Sequence, residues 1–190
     1  MITKETLLDT ISSSPIVAAI KDEDGLRSCM ESDSKVVFIL YGSIITIDEI
    51  VSKVKSSGRI ALVHIDLIDG LSAKEAAVDY IAEKNEADGI ISTKFSMIKA
   101  AKSRGMLAVQ RFFLLDSLAL STLSKQIVQS NPDLIEVLPG CIPKVITRIC
   151  HSTKTPVIAG GLIQDKEDIV DALNAGAIGV SATRCEIWSM

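Results

Sequence analysis

The sequence predicts a single small (β/α)8 barrel of the TIM type, with short loops and one domain that covers residues 1–190. Short apolar segments typical of strands buried on both faces recur along the chain, and an amphipathic segment separates each from the next. No linker or low-complexity tract divides them. The predicted strands are residues 16–21, 36–41, 60–67, 89–93, 107–114, 134–138, 156–162 and 179–183. The alternative is an open doubly wound sheet, which would need fewer strands.

Local signals predict where several helices begin and end. Residues 46–49 and 72–75 match the capping box, in which a hydroxyl and a Glu satisfy each other's orphan N–H groups. Asp165 is expected to cap a helix that stops at Gly176, and Pro143 to stand in the first turn of another.

The length of the chain predicts a trimmed barrel. At 190 residues it is slightly below the usual lower size of about 200. Residues 184–190 have room for one or two helical turns, so we expect a truncated last helix. Residues 4–12 are predicted to form an extra helix that closes the bottom of the barrel.

The composition excludes several classes of protein. A net charge of −4 gives no global attraction to nucleic acid or to an anionic membrane. The first residues do not resemble a secretion signal, and no apolar run approaches the roughly 18 residues of a membrane span. The four cysteines are widely spaced, which favours buried thiols over disulfides or zinc ligands. We therefore expect a cytoplasmic protein without membrane contact, metal or cofactor.

The last third of the chain predicts a phosphate site. Residues 156–163 and 174–183 each read as a buried strand that ends in small residues. A backbone without bulky side chains can bring its N–H groups close to a phosphate, and barrels often hold phosphate at these two consecutive strand ends. The candidates are Gly160, Gly161, Ser181, Ala182 and Thr183. The two glycines could instead form only a tight turn.

Polar residues near other strand ends predict a ligand site at the barrel mouth. His64 and Asp66 alternate with aliphatic residues, and polar groups beneath aliphatic helices would be costly, so both are expected to face the barrel. The same reasoning directs further residues to the mouth, and the set comprises Lys21, His64, Asp66, Gln110 and Glu136, with Ser92 and Lys94 beside them. Each also has a simpler interpretation, as barrel filling or as a solvated charge.

No familiar catalytic motif accompanies these residues. The dinucleotide-binding glycine motif, the P-loop, the HExxH zinc motif and the GxSxG elbow are all missing from the sequence. His64 and Asp66 could act as acid and base, but spacing alone does not show it. We assign no catalytic residue.

Five segments of the chain resemble the glycerol uptake operon antiterminators, a family of glycerol-3-phosphate-responsive bacterial regulators. They are residues 64–71, 88–94, 109–117, 135–140 and 159–188. The resemblance covers essentially the whole chain in order. It implies a non-enzymatic sensor of glycerol 3-phosphate that, when liganded, binds the leader mRNA of glycerol-utilisation genes and lets transcription pass a terminator. Composition and periodicity do not indicate RNA binding.

The implied ligand fits the predicted site. Its phosphate would lie on the small-residue strand ends, and its hydroxyls would meet His64, Asp66, Gln110 and Glu136. For RNA, positive charge clusters between residues 94 and 111, and the candidates around the mouth are Lys94, Lys99, Lys102, Arg104 and Arg111. A solvated helix face is the simpler interpretation.

Two other functions stay open at this point. One is a phosphate-binding barrel enzyme that acts on a glycerol- or sugar-phosphate, because the fold does not choose among reactions. The other is a degenerate barrel that serves only as a regulatory protein partner. A homo-oligomer is compatible with either.

Overall fold

The computed structural model describes residues 2–190 and shows a closed barrel of eight parallel strands. Each strand pairs with the next along the chain, and the last pairs with the first. The strands are β1 (Ile16–Ile20), β2 (Val36–Ile39), β3 (Ile60–His64), β4 (Gly89–Ser92), β5 (Leu107–Phe113), β6 (Leu134–Leu138), β7 (Val157–Gly160) and β8 (Gly179–Ala182). The predicted barrel is confirmed, and the open doubly wound alternative is wrong.

Helices surround the barrel, and one precedes it. They are α1 (Lys4–Ser13), α2 (Glu23–Glu31), α3 (Ile47–Ser56), α4 (Glu75–Lys84), α5 (Phe95–Ser103), α6 (Ser117–Ser130), α7 (Pro143–Ser152) and α8 (Lys166–Asn174). After β8 the chain makes only a 3-10 turn, Cys185–Ile187, which confirms the truncated last helix. Among residues 2–190, no helix is both long and apolar enough to cross a membrane.

The lower interior of the barrel is aliphatic and is closed by α1. Leu7 and Ile11 of this helix are fully buried and pack with inward-facing strand residues such as Phe38 and Leu62. A plug of this kind excludes water from the amino-terminal end of the strands. The predicted extra helix is confirmed, and any ligand must enter from the opposite end.

Trp188, just after the 3-10 turn Cys185–Ile187, is buried beside the end of β8. Its side chain is 2% exposed and packs against the core between the sheet and the helices. The indole Nε1–H donates to the carbonyl oxygen of Ala182 at 2.8 Å, so the polar edge of the ring is satisfied where it is buried.

Two buried carboxylates fix the amino-terminal ends of the strands. Asp88, just before β4, accepts from Lys55 at 2.6 Å and from the N–H of Ala61 at 2.9 Å. Asp133, just before β6, accepts from Lys102 at 2.5 Å and from a strand N–H in β5. Each pair ties a helix to two neighbouring strands at the end of the barrel away from the mouth.

The structure corrects some predicted helix ends. Thr46 makes no side-chain cap bond to α3, and its hydroxyl oxygen accepts instead from the N–H of Ser43 at 2.9 Å. Ser72 lies before the start of α4, whose N-cap is Lys74. Both capping boxes are therefore wrong. Asp165 accepts from the N–H of Asp168 at 3.0 Å, as predicted.

Candidate functional site

The upper interior of the barrel is polar, in contrast to its aliphatic base. Inward-facing positions on four strands carry polar side chains there, and alternation along each strand from an aliphatic neighbour places them inside. They are His64 on β3, Arg111 on β5, Glu136 on β6 and Ser181 on β8. All four are at most 7% exposed. We call these four inward-facing residues the floor of the mouth.

Glu136 is the centre of this floor. Its Oε2 accepts from Nε of Arg111 at 2.5 Å, and its Oε1 accepts from the hydroxyl of Ser181 at 2.5 Å. Only 1% of Glu136 is exposed, so the charge is stabilised by these partners rather than by water. The bonds link three strands across the barrel.

Gly160 leaves the room that this network occupies. A Cβ at that position would lie 2.5 Å from Oγ of Ser181 and 2.6 Å from Oε1 of Glu136. Non-bonded contacts of a Cβ atom are essentially never this short, so a side chain there would displace the carboxylate. Gly160, which the sequence predicts as a phosphate contact, is thus also required by the packing beneath it.

Arg111 keeps unused hydrogen-bond donors within the polar floor. Nε is engaged by Glu136, while within residues 2–190 the terminal nitrogens have no hydrogen-bond partner. A guanidinium carries five N–H donors and always keeps its charge, so several donors stay available in a residue that is only 7% exposed. Such a group favours an anion or a hydroxyl-rich ligand in front of it.

His64 is a neutral imidazole at physiological pH. Burial and the positive charge of Arg111 lower its pKa from 6.5 to about 4, against the opposing effect of Asp66. The side chain is 3% exposed, and Nδ1 has no hydrogen-bond partner in the part of the chain that the structure describes. A buried polar atom without a protein partner is unusual, and this nitrogen is free to bind a ligand.

Asp66 binds the neighbouring loop rather than facing the barrel alone. It lies in the 3-10 turn Ile65–Leu67 that follows β3, so strand alternation does not apply to it. Its carboxylate accepts from the N–H of Thr93 at 2.8 Å and from the hydroxyls of Ser92 and Thr93 at 3.0 Å. Burial raises the pKa of Asp66, but these donors and His64 outweigh burial and lower it. Asp66 is therefore an ionised anchor of the loop after β4.

Gln110 and Arg111 lie on the opposite faces from those predicted. Gln110 points outward, where its Oε1 accepts from the hydroxyl of Ser130 on α6, so its predicted place in the mouth is wrong. Arg111 is inside the barrel and not on an RNA-accessible surface. The signal for the correct assignment was Glu136, because a lone carboxylate inside a strand needs a cation, and Arg111 is its register partner on β5.

The structure brings the predicted phosphate segments together. Gly160 and Ser181 are direct register partners on β7 and β8. Beyond them, Gly161 has a φ of +72°, and the chain turns away from the barrel. The backbone N–H groups of Gly161 and Thr183 make no hydrogen bond within residues 2–190. Ala182 is buried, and its carbonyl is taken by the indole of Trp188.

Lys21 lies at one side of this region. A cavity of about 270 Å³ joins the ends of β1 and β8 and is lined by Lys21, Thr183 and Arg184 among others. The Lys21 side chain is exposed at its edge. The lining also includes Asp22, Asp24 and Glu186, so the two cations share this cavity with three carboxylates.

Most of the cations predicted for RNA already contact an acidic or aromatic side chain. Lys102 donates to Asp133 at the amino-terminal end of β6, and Arg104 lies 2.7 Å from Asp79. Because α5 runs away from the mouth, the predicted position around the mouth is wrong for both. Lys94 is at the mouth, 3.7 Å from Asp66. The ammonium of Lys99 lies 4.6 Å from the centre of the Phe95 ring.

Comparison with known proteins decides the family. The family model described as "Glycerol-3-phosphate responsive antiterminator" matches residues 16–188. The chain belongs to this antiterminator family. Uncharacterized protein YgcP of Escherichia coli (strain K12) is 43% identical over 184 residues, which are 97% of this chain and 96% of that protein.

Two crystal structures with antiterminator descriptions share the barrel. The glycerol uptake operon antiterminator regulatory protein of Listeria monocytogenes is 33% identical, with a TM-score of 0.88 over 91% of this chain and 94% of its own. The antiterminator-related protein of Thermotoga maritima is also 33% identical, with a TM-score of 0.80 over 93% and 99% of the two chains. Aldolases and a decarboxylase at 17% identity or less are similar in fold alone.

Proposed function

We propose that this antiterminator-family protein binds glycerol 3-phosphate in the barrel mouth and, in that liganded form, binds the leader mRNA of glycerol-utilisation genes. The observation that carries the ligand half is that Nδ1 of His64 and the terminal nitrogens of Arg111 have no protein partner, at the same end of the barrel as the ends of β7 and β8. A buried cation, a neutral imidazole and open backbone N–H groups together match a phosphate linked to a short polyol.

In this proposal the phosphate lies on the backbone of Gly160–Gly161 and Ala182–Thr183. The supporting geometry is the side-by-side register of the two strand ends and the open N–H groups of Gly161 and Thr183. A dianion gains from several N–H donors at once, whereas neutral glycerol gains little. Ser181 contributes to phosphate binding only indirectly, because its hydroxyl donates to Glu136.

The glycerol hydroxyls would lie over the polar floor. His64 offers Nδ1, and Arg111 offers its terminal N–H groups, so this arginine replaces Gln110 in the predicted set. Glu136 positions Arg111, Asp66 positions the loop beside His64, and Lys21 adds positive charge at the rim.

Measuring the stability of the protein against ligand concentration tests the first part of the proposal, the binding of glycerol 3-phosphate. Glycerol 3-phosphate at about a hundred times its dissociation constant should stabilise the protein by about 2.7 kcal/mol, and glycerol at that concentration should not. Gly161→Asp should abolish the effect by placing a carboxylate at the phosphate position. Gly161→Asn is the matched control, because it has the same size and backbone strain without the charge. Equal binding by the Asp and Asn variants would contradict the phosphate position.

A gel-shift titration tests the RNA half. The leader transcript of a glycerol-utilisation gene should bind with glycerol 3-phosphate and much more weakly without it. Absence of binding under both conditions would remove the antiterminator mechanism for this chain.

The rival function is an enzyme that converts a glycerol- or sugar-phosphate. The observation that favours it is the neutral state of His64, which is the form a general base requires. Phosphorus NMR of the protein with glycerol 3-phosphate distinguishes the two. We expect no new resonance, and one that disappears in His64→Gln would establish the enzyme.

A further inference from the structure

The segment from α6 to the loop after β7 carries no exposed carboxylate of its own. The chain has a net charge of −4, yet residues 117–164 contain no acidic residue except Asp133 and Glu136. Both are at most 4% exposed, and each is paired with a cation, Lys102 or Arg111. The surface built by this segment therefore has no negative side chain of its own. The neighbouring helix α8 contributes Asp171, which lines a groove together with Lys144 but makes no ion pair with it.

The exposed cations of the segment lie mainly on and beside α7. Lys144 and Arg148 are on this helix, Lys154 follows it, and Lys125 is on α6, the preceding helix. Within residues 2–190, no carboxylate oxygen lies within 4.0 Å of any of the four charged groups. By contrast, Lys53 on α3 lies 2.8 Å from Glu49, and Arg104 just after α5 lies 2.7 Å from Asp79.

Helical periodicity places the basic side chains of α7 in one row. Ile146 and Ile149 are fully buried against the barrel, and Lys144, Arg148 and His151 are exposed on the outer face. Spacings of four and three residues put these three side chains above one another, along about 10 Å of helix. The row starts at the mouth, because α7 begins just after the end of β6.

We propose that the exposed face of α7, formed by Lys144, Arg148 and His151 and continued by Lys154, contacts the phosphate backbone of RNA. This inference rests on the proposed function and names the surface through which that function acts. Phosphate contacts by Lys and Arg give nucleic-acid binding most of its affinity. The cations of α7 need not leave a carboxylate to bind a phosphate, whereas Lys102 and Arg104 on and after α5 would.

The chemistry of the face favours RNA over a membrane. Helices that lie on anionic membranes insert large apolar side chains beside their cations. The exposed positions of α7 are Lys144, Arg148, His151 and Ser152, and none is apolar. A row of cations and a hydroxyl suits phosphates in water.

Paired alanine variants test the surface. The double variant Lys144→Ala/Arg148→Ala is compared with Lys53→Ala on α3 and with Lys99→Ala on α5, using fluorescently labelled leader RNA with glycerol 3-phosphate present. Each lost phosphate contact should lower the slope of log K against log salt by about 0.7 and the affinity at 0.1 M salt about fivefold. The double variant should thus lose about 25-fold, and the single variants should bind like the wild type.

Every outcome bears on the proposal. The double variant must keep the stabilisation by glycerol 3-phosphate, since its substitutions are exposed and away from the mouth floor. Unchanged RNA affinity and slope in the double variant, or a loss in Lys99→Ala instead, would overturn the α7 surface alone. Absence of RNA binding by the wild type would overturn the proposed function as well. Binding to phosphatidylglycerol vesicles that the double variant loses, with RNA binding unaffected, would make the face a membrane contact.

Discussion

The neutral state of buried His64 makes the stability of this protein depend on pH in a defined interval. In the unfolded chain the imidazole has its ordinary pKa of 6.5, and in the folded protein burial and Arg111 lower the pKa to about 4. The unfolded state therefore binds a proton more readily, and protonation favours unfolding. The free energy of unfolding is therefore at its full value above pH 6.5, where His64 is neutral in both states, and it decreases as the pH falls from 6.5 toward 4.

The magnitude follows from the two pKa values. Between pH 7.5 and pH 5 the linkage relation gives a loss of about 2 kcal/mol in the free energy of unfolding. Asp66 does not contribute in this interval. Its folded pKa is lowered below 3.8, so its stabilising effect is present above that value and is lost only at more acidic pH.

Urea unfolding of the wild type and of His64→Gln measures this difference. The variant has no titrating group at that position, so it should lose about 2 kcal/mol less than the wild type between pH 7.5 and pH 5. His151, the other histidine, is present in both proteins and cancels. The same loss in both proteins would refute the reasoning. NMR titration of the imidazole, assigned with His151→Gln, gives the pKa of His64 directly.

Two further predictions concern the polar floor. Glu136→Gln leaves the Arg111 guanidinium buried without its carboxylate and should lower the free energy of unfolding by about 3–5 kcal/mol in urea, whereas Glu186→Gln, an exposed control, should change it by less than about 0.5. A loss below about 1 kcal/mol for Glu136→Gln would mean that the arginine is not held there. Gly160→Ala should cost about 1–3 kcal/mol by overpacking, and less on a Ser181→Ala background, because one of the two close contacts is then gone. A double-mutant cycle measures this coupling, and strict additivity would contradict it.

Hydrophobic pattern and chain length were enough to predict the architecture. Eight apolar segments predict eight strands, and this is confirmed. These features are set by local sequence and by the need to bury apolar faces, so they do not depend on distant partners.

The side-chain assignments at the mouth needed tertiary information. In β5 both Gln110 and Arg111 are polar, and alternation alone does not decide which one faces inward. The choice depends on the partners, Ser130 outside and Glu136 inside, which come from other elements. The position of Asp66 also depends on more than alternation, because β3 ends at His64 and Asp66 lies in the 3-10 turn that follows.

The predicted position of Lys102 and Arg104 at the mouth was wrong because it ignored the direction of α5. Lys94, Lys102 and Arg104 are near one another in the chain, but α5 carries the last two to the opposite end of the barrel. Residues that are close in sequence along a barrel helix can therefore lie at opposite ends of the molecule and do not form one patch.

The filled interior has a consequence for how a signal could spread. Aliphatic side chains, the α1 plug and the Arg111–Glu136–Ser181 network leave the ligand no deeper position than the level of the loops. A close-packed core resists small displacements, so occupancy of the mouth changes little beneath it. A ligand in the mouth, as proposed, would therefore act on the rest of the molecule through the strand-to-helix loops of the rim. The loop between β6 and α7 is one step along that rim from β7, and it leads directly to Lys144.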